Sequence, residues 1–270
     1  MTDFSIATWN INSVRLRLPL VLDLLETHEP DVLCLQETKC PNGSFPDSEL
    51  RKRGYDHIEI HGQKGYHGVA IISKLPLSDV ERRDFCDMGD TRHISAVARA
   101  GGRAIRLHNF YVPAGGDEPN PEINPKFAHK LGFLDEMKAL HSEAERGDGV
   151  SSILVGDLNI APLETDVWSH KQLLRVVSHT LVETEGLNEV QARGAWVDLV
   201  RQQFPPEEKI FTWWSYRARE WDVSDRGRRL DHIWSSADLS PALRDVTVLR
   251  EARGWERPSD HVPVFAHFKF

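Results

Sequence analysis

The chain has 270 residues, with 33 Lys and Arg against 41 Asp and Glu for a net charge of −8, and 40% of its residues are hydrophobic against 27% charged. That balance excludes a disordered, collagenous or coiled-coil chain, and no apolar run reaches the ~18 residues that a membrane span needs. The N-terminus lacks a basic stretch followed by an apolar one, so no secretory leader is expected, and three cysteines (Cys34, Cys40, Cys86) without a CxxC pair predict reduced thiols in the cytoplasm rather than a disulfide framework.

In chain order, the first predicted strand covers 4–9 (FSIATW), and apolar spacing over 16–28 predicts a helix with Pro19 in its first turn. Apolar, β-branched runs predict strands at 31–36, 67–73, 93–99 and 104–111. Prolines and glycines then crowd 112–125, which reads as a long surface loop. Phe127, Leu131, Leu134, Met137 and His141 fall on one face of a helix predicted over 125–146. A strand at 152–156, helices at 171–182 and 187–203, and strands at 209–214, 230–235, 245–249 and 261–268 complete the reading. No repeat, GxGxxG or GxxxxGK[ST] is present. Without strict strand–helix alternation, sheets packed on each other with helices outside are expected instead of a Rossmann or barrel architecture.

Function is written where polar residues terminate these strands. Asn10 follows Trp9, Glu37 follows Leu35-Gln36, and ILVG (153–156) runs into Asp157-Leu158-Asn159. Asp231 sits in RLDHIW, and Ser259-Asp260-His261 opens the last strand. A carboxylate at the mouth of a buried strand is costly unless a cation or donor meets it. Hard oxygens and amides with few histidines suit Mg²⁺ or Mn²⁺ better than zinc. Such clusters serve phosphoester hydrolysis, where the metal neutralises phosphate charge and acidifies water. Taken singly, Asp157 and Asn159 read as a turn, Glu37 as a strand end, and Asn10 as a turn residue. A hydrolase triad at 259–261 is excluded by the missing GxSxG elbow.

The islands WNINSVRLR (9–17), PDVLCLQETK (30–39), GQKGYHGVAIIS (62–73), NFYVPAGG (109–116), GDLNIAP (156–162), FTWWSYR (211–217), GRRLDHIW (227–234) and PSDHVPV (258–264) span nearly the whole chain. In content and order they resemble the exonuclease III family of the exonuclease–endonuclease–phosphatase superfamily, which also holds abasic-site endonucleases. The resemblance implies one domain over 1–270 and an α/β (α+β type) four-layered sandwich, two mixed β-sheets face to face with helices outside, as in DNase I-like folds. It implies that Glu37 is the main metal carboxylate, supported by Asn10 and Asp260, with Mg²⁺ as cofactor and Mn²⁺ as a substitute. Asp157 is implied to activate or position water, Asn159 to hold a phosphate oxygen, Tyr111 to act at the scissile phosphate, and Asp231 to orient His261. Whether Asp157, a metal hydroxide or His261 is the base stays open. An Asp beside His261 favours the charged, donating imidazolium.

For the substrate, the resemblance implies double-stranded DNA with abasic sites or 3′ ends; a monomer with no membrane role is the default expectation. Lys64, Tyr66, Arg92, Trp213, Trp214, Tyr216 and Arg228 are the implied DNA contacts. Lys64 and Tyr66 lie in the Gly-rich GQKGYHG loop, where backbone amides can meet phosphates. The stretch 213–229 mixes aromatics with five arginines and three carboxylates, a local basic face that an acidic chain needs to grip DNA. Two positions depart from the family pattern: Ala114 replaces an amide residue after Tyr-x-Pro, and Arg228 replaces Trp or Leu before the Arg-[LI]-Asp strand. A non-catalytic RNA-binding protein and a phosphatase or phospholipase of the same superfamily are the rival readings.

Overall fold

A computed structural model describes residues 2–140 and 149–270. In chain order the strands are Asp3–Asn10 (β1), Val32–Gln36 (β2), His57–His61 (β3), Val69–Ser73 (β4), Leu77–Glu81 (β5), His93–Ala100 (β6) and Arg103–Tyr111 (β7). Ser151–Asp157 (β8), Val197–Asp198 (β9), Trp213–Trp214 (β10), Gly227–Arg228 (β11), Asp231–Ser235 (β12), Leu243–Val248 (β13) and Val264–Lys269 (β14) follow. Two six-stranded sheets result, in the orders β13-β14-β1-β2-β4-β3 and β5-β6-β7-β8-β12-β9. Both are mixed, because β1 runs parallel to β2 and β7 parallel to β8 while their other pairings are antiparallel.

The central strands read as continuous apolar runs because both faces are covered. Ile6, Val32, Cys34 and Ile71 of one sheet meet Ile94, Leu107, Ile153 and Val155 of the other. The alternate positions, Ala7, Trp9, Leu33 and Leu35, turn outward against Val21, Leu24 and Leu25 of the helix Leu18–His28, as the two-residue period of a strand requires. On the opposite outer face, Phe110, Leu154 and Trp234 pack against the helices Pro125–Met137 and Leu181–Arg193. The order helix, sheet, sheet, helix is the expected four-layered α/β sandwich. No helix of the described residues is long and apolar enough to cross a membrane.

Some expected elements differ. The helix expected over 125–146 ends at Met137, and its predicted part at 141–146 lies outside the described residues. The helix expected at 171–182 survives as His170–Leu173, and the one at 187–203 is two helices, Leu181–Arg193 and Leu199–Gln203, parted by β9. Gly194 follows the longer one, at a position where any Cβ would collide with the Trp196 ring. The strand expected at 209–214 shrinks to Trp213–Trp214.

Candidate active site

One edge of the sandwich gathers the polar strand ends. Asn10 ends β1, and Glu37 follows β2. In the second sheet Tyr111, Asp157 and Asp231 are direct neighbours across three strands, since Asp157 pairs with Tyr111 on one side and Asp231 on the other. The two sheets are tied beneath this edge by a buried amide pair: Gln36 Nε2 donates to Asn109 Oδ1 at 2.7 Å, and Asn109 Nδ2 donates to the carbonyls of Leu35 and Ala70. Sequence reasoning missed that bridge, though two amides inside apolar strands are its trace.

Hydrogen bonds and one ion pair make the residues one network. Asn10 Nδ2 donates to Glu37 Oε1 (2.9 Å) and to Asp157 Oδ2 (2.8 Å), joining carboxylates from the two sheets. Tyr111 Oη donates to Glu37 Oε1 at 2.8 Å. His261 Nδ1 lies 2.8 Å from Asp231 Oδ2, whose other contact is the Thr212 hydroxyl at 2.6 Å, and His261 Nε2 lies 3.6 Å from Asp157 Oδ2. Asn159 turns back on Asp157 through its backbone N–H (2.9 Å) and its side-chain amide (3.1 Å). Glu37 and Asn159 hold left-handed backbones, φ 50° and 55°, unusual for residues other than glycine and typical of strained functional positions.

Burial and charge set the protonation preferences. Burial pushes the Asp157 carboxyl up to about 7; the His261 cation and the Asn10 donor oppose this, while the Asp231 carboxylate adds to it. Burial works against a charged His261, yet the carboxylates of Asp231 and Asp157 raise it to about 10. Glu37 is held below the usual carboxylate range: burial opposes its charge, but the Lys39 ammonium and donors from Asn10 and Lys39 prevail. Tyr111 is pushed well above its ordinary value by burial and by Glu37 and Asp157, so it stays a proton donor.

Asp157, Asp231 and His261 bring ligand-type atoms within 4.8 Å of one another. With Nδ1 engaged by Asp231 and the ring favouring its cation, His261 is a poorer metal ligand than the carboxylates around it. The cation-binding capacity therefore falls to the oxygens. Lys39 Nζ already sits on Glu37 Oε2 (2.7 Å) and Asn12 Oδ1 (2.5 Å), showing that this flank attracts positive charge, and the buried Oδ1 of Asp231 has no hydrogen-bond partner. This acidic, amide-rich donor set suits a hard divalent cation. Asp260 is farther along the network: Trp213 Nε1 donates to its Oδ2 and Asn12 Nδ2 to its Oδ1, at 3.0 and 3.2 Å.

A cavity of ≈ 620 Å³ opens on this cluster; Glu37, Tyr111, Asp157, Asn159, Asp260 and His261 line one part of it. Trp213 and Arg228 line the other, with the Arg228 guanidinium 5.3 Å from the Trp213 ring centre. Trp214 is a correction. It is 1% exposed, donates to Asp225 Oδ1 and packs on Trp221, because consecutive strand residues face opposite ways and Trp213 takes the cavity side. A buried indole of this kind is unavailable to DNA. Tyr216 is exposed near Asp260, its hydroxyl donating to the Pro258 carbonyl and accepting from Arg17. Arg92 stacks over Tyr111 at 4.8 Å and, with Tyr66, lines a second cavity of ≈ 560 Å³ on the other side of Tyr111. Lys64 is exposed in the neighbouring loop.

The family model for the endonuclease/exonuclease/phosphatase family matches residues 7–261. The chain belongs to that family. Exodeoxyribonuclease III of Haemophilus influenzae is 30% identical over 97% of this chain and 98% of its own length. An AP endonuclease from Archaeoglobus fulgidus superposes with a TM-score of 0.89 at 32% identity, covering 99% of this chain and all of that one. A 3′-5′ exonuclease (NExo) from Neisseria meningitidis does so with 0.89 at 34% identity, over 99% and 100% of the two chains. In this family member, as in the expected DNase I-like architecture, two mixed sheets carry the site at one shared edge.

Proposed function

We propose that this family member is a Mg²⁺-dependent DNA repair nuclease, with Mn²⁺ as a substitute metal, that hydrolyses phosphodiesters 5′ to abasic sites. In the same proposal it removes nucleotides and blocking groups from the 3′ ends of duplex DNA. It acts as a monomer in the cytoplasm, with residues 1–270 working as one domain. The observation that carries the reading is the continuous network Glu37–Asn10–Asp157–His261–Asp231, which faces a cavity shared with Tyr111 and Asn159.

The chemistry follows from charge. An anionic phosphodiester is attacked by a water-derived anion, so donors must meet the oxygens where charge develops. Glu37, with Asn10 beside it and Asp260 linked to it through Asn12 and Lys39, would hold the divalent cation, which supplies charge neutralisation and a more acidic water. Asp157 positions the attacking water; its near-neutral titration and its contacts with Asn10 and Asn159 suit a group that takes up and releases a proton. His261, kept cationic by Asp231, directs Nε2 toward the reacting phosphate, and Asn159 and Tyr111 donate to its oxygens. Water adds hydroxide to phosphorus, the bond to the 3′ oxygen breaks, and the second proton of water balances that leaving oxygen. Arg92, Lys64, Tyr66, Tyr216 and Trp213 are the DNA-facing groups in this proposal.

A fluorescent duplex with one abasic analogue, incubated with Mg²⁺ or with EDTA, tests it. A nick on the 5′ side of the lesion that requires Mg²⁺ is expected; an intact duplex under both conditions defeats the reading.

A further inference from the structure

The loop leaving β8 carries Asn159 with φ 55° and lies outside any strand, so its buried carbonyls need donors from elsewhere. Three successive ones find them on basic side chains. Lys130 Nζ donates to the Asn159 carbonyl at 2.8 Å, His232 Nε2 to that of Ile160 at 2.9 Å, and His179 Nδ1 to that of Ala161 at 2.6 Å. The three donors come from the helix Pro125–Met137, from β12 and from the segment just ahead of the helix Leu181–Arg193. His179 makes the shortest of these contacts, and the Ala161 N–H answers it by donating to the Ser178 carbonyl at 2.8 Å. Ala161 is thus gripped through both of its backbone polar groups.

His179 can do this in one neutral tautomer only. A carbonyl accepts, so Nδ1 carries the proton and Nε2 presents a lone pair. His170 Nδ1 meets that lone pair at 2.8 Å, and the far nitrogen of His170, Nε2, lies 3.4 Å from Glu164 Oε1. Protons therefore point one way along the row, from His170 to His179 to the loop. His179 is buried, whereas His170 and Glu164 reach the surface. Burial lowers the pKa of His179; the Ala161 carbonyl and Asp166 oppose this, and His170 and Arg228 add to it. Asp166 is itself held by Arg229 and Arg201, and the nearby Glu183 by Lys130 and the backbone N–H groups of Ser178 and Thr180. The neutral donor is thus the form present near neutrality. A further proton would sit on Nε2 and face the His170 N–H, leaving two donors without an acceptor.

We propose that His179 is a positioning residue of this nuclease, holding Asn159 on the reacting phosphate through the Ala161 carbonyl, while His170 at the surface fixes the tautomer that makes the contact. The inference rests on the nuclease reading above and adds to it a residue from outside the hydrolytic cluster. Asn159 stands two residues from the grip, and its own side chain donates to the Val112 carbonyl and to Asp157 Oδ2. A loop released at Ala161 carries that amide with it, and a misplacement of ~1 Å costs about 10²-fold in rate.

The test separates the two ring nitrogens, because asparagine puts an N–H where Nδ1 stands and glutamine puts one where Nε2 stands. On abasic duplex with Mg²⁺, His179→Gln is expected to lower kcat about ten- to a hundredfold, with affinity in EDTA far less affected, and His179→Asn to recover most of the loss. As pH falls from about 7.5 to 5.5, wild-type kcat should drop relative to that of His179→Asn, which has nothing to titrate at this place. In metal-free protein without DNA, the side-chain amide resonance of Asn159 should move in His179→Gln and stay near its wild-type position in His179→Asn. Equal turnover of the two variants, a loss of affinity as large as the loss of turnover, a pH-independent ratio, or an unmoved resonance overturns the proposal. Absence of any cleavage by the wild-type protein overturns the nuclease reading, and the amide resonance then still decides whether His179 fixes Asn159.

Discussion

Replacing Lys130 by methionine tests a support of the site that no catalytic motif announces. Lys130 and Glu183 form an ion pair at 2.5 Å with both side chains 0% exposed. The ammonium also donates to the carbonyls of Asn159 (2.8 Å) and Ala114 (3.3 Å), so one buried charge ties the loops after β8 and β7 to each other. Methionine fills a similar volume but offers no proton. It leaves Glu183 buried with its three remaining donors, from Ser178, Thr180 N–H and the Thr180 hydroxyl, and leaves two carbonyls with nothing in place of the ammonium. Removing one partner of a buried pair costs about 3–5 kcal/mol, a large part of the ~5–15 kcal/mol that stabilises an ordinary domain. Urea unfolding of metal-free protein should show a lower midpoint with an unchanged slope. Since Asn159 loses its carbonyl tether, turnover on abasic duplex should fall too. A double-mutant cycle with Glu183→Gln should give a coupling of ~1 kcal/mol or more. A loss below about 1 kcal/mol for Lys130→Met would refute the claim that this pair holds the loops.

Three further outcomes are expected. Asp157→Ala should lower turnover on abasic duplex by roughly 10²–10⁴ while changing the affinity in EDTA far less; parallel losses would contradict a water-positioning role. His261 rises from 6.5 to about 10 on folding, so its stabilising pair with Asp231 is present in full below pH ~6.5 and is lost as pH climbs through about 10. The melting-temperature gap between metal-free wild type and His261→Gln should accordingly narrow over that window, and a gap that widens with pH would show the sign to be wrong. Gly156 has φ 141°, and a Cβ there would collide with the Phe110 carbonyl on the adjacent parallel strand; Gly156→Ala should cost about 3 kcal/mol or more, and a wild-type denaturation midpoint would argue against that packing.

How much of this was readable in advance depended on burial. The strands expected at 4–9, 31–36, 93–99 and 104–111 match β1, β2, β6 and β7 within a residue or so at each end, because covered faces force unbroken apolar runs. β3 and β5 went unread: both lie at sheet edges and are only partly covered, so His57–His61 and Leu77–Glu81 carry too few apolar residues to stand out. The polar strand ends were legible as separate islands, and the structure brings Asn10, Glu37, Tyr111, Asp157, Asn159, Asp231 and His261 into one group, joined by hydrogen bonds and by the Asp157–His261 ion pair. Apart from Asp231 with His261, which the family resemblance implied, partnerships were not legible. Lys130 with Glu183 and Gln36 with Asn109 join residues distant in sequence, and nothing in the sequence near Lys130 distinguishes it from a solvated lysine. Trp214 failed for the opposite reason, since adjacency to Trp213 implies shared exposure only until the strand's alternation is imposed.

The candidate catalytic group draws its first member, Asn10, from β1 and its last, His261, from just before β14. A chain still emerging from the ribosome therefore holds carboxylates but no assembled centre until residue 261 has been synthesised. One sheet alone supplies only part of the set: Asn10 and Glu37 come from the first, Tyr111, Asp157 and Asp231 from the second. Completion of the cluster is thus tied to the late arrival of the segment around His261 and to the docking of the two sheets.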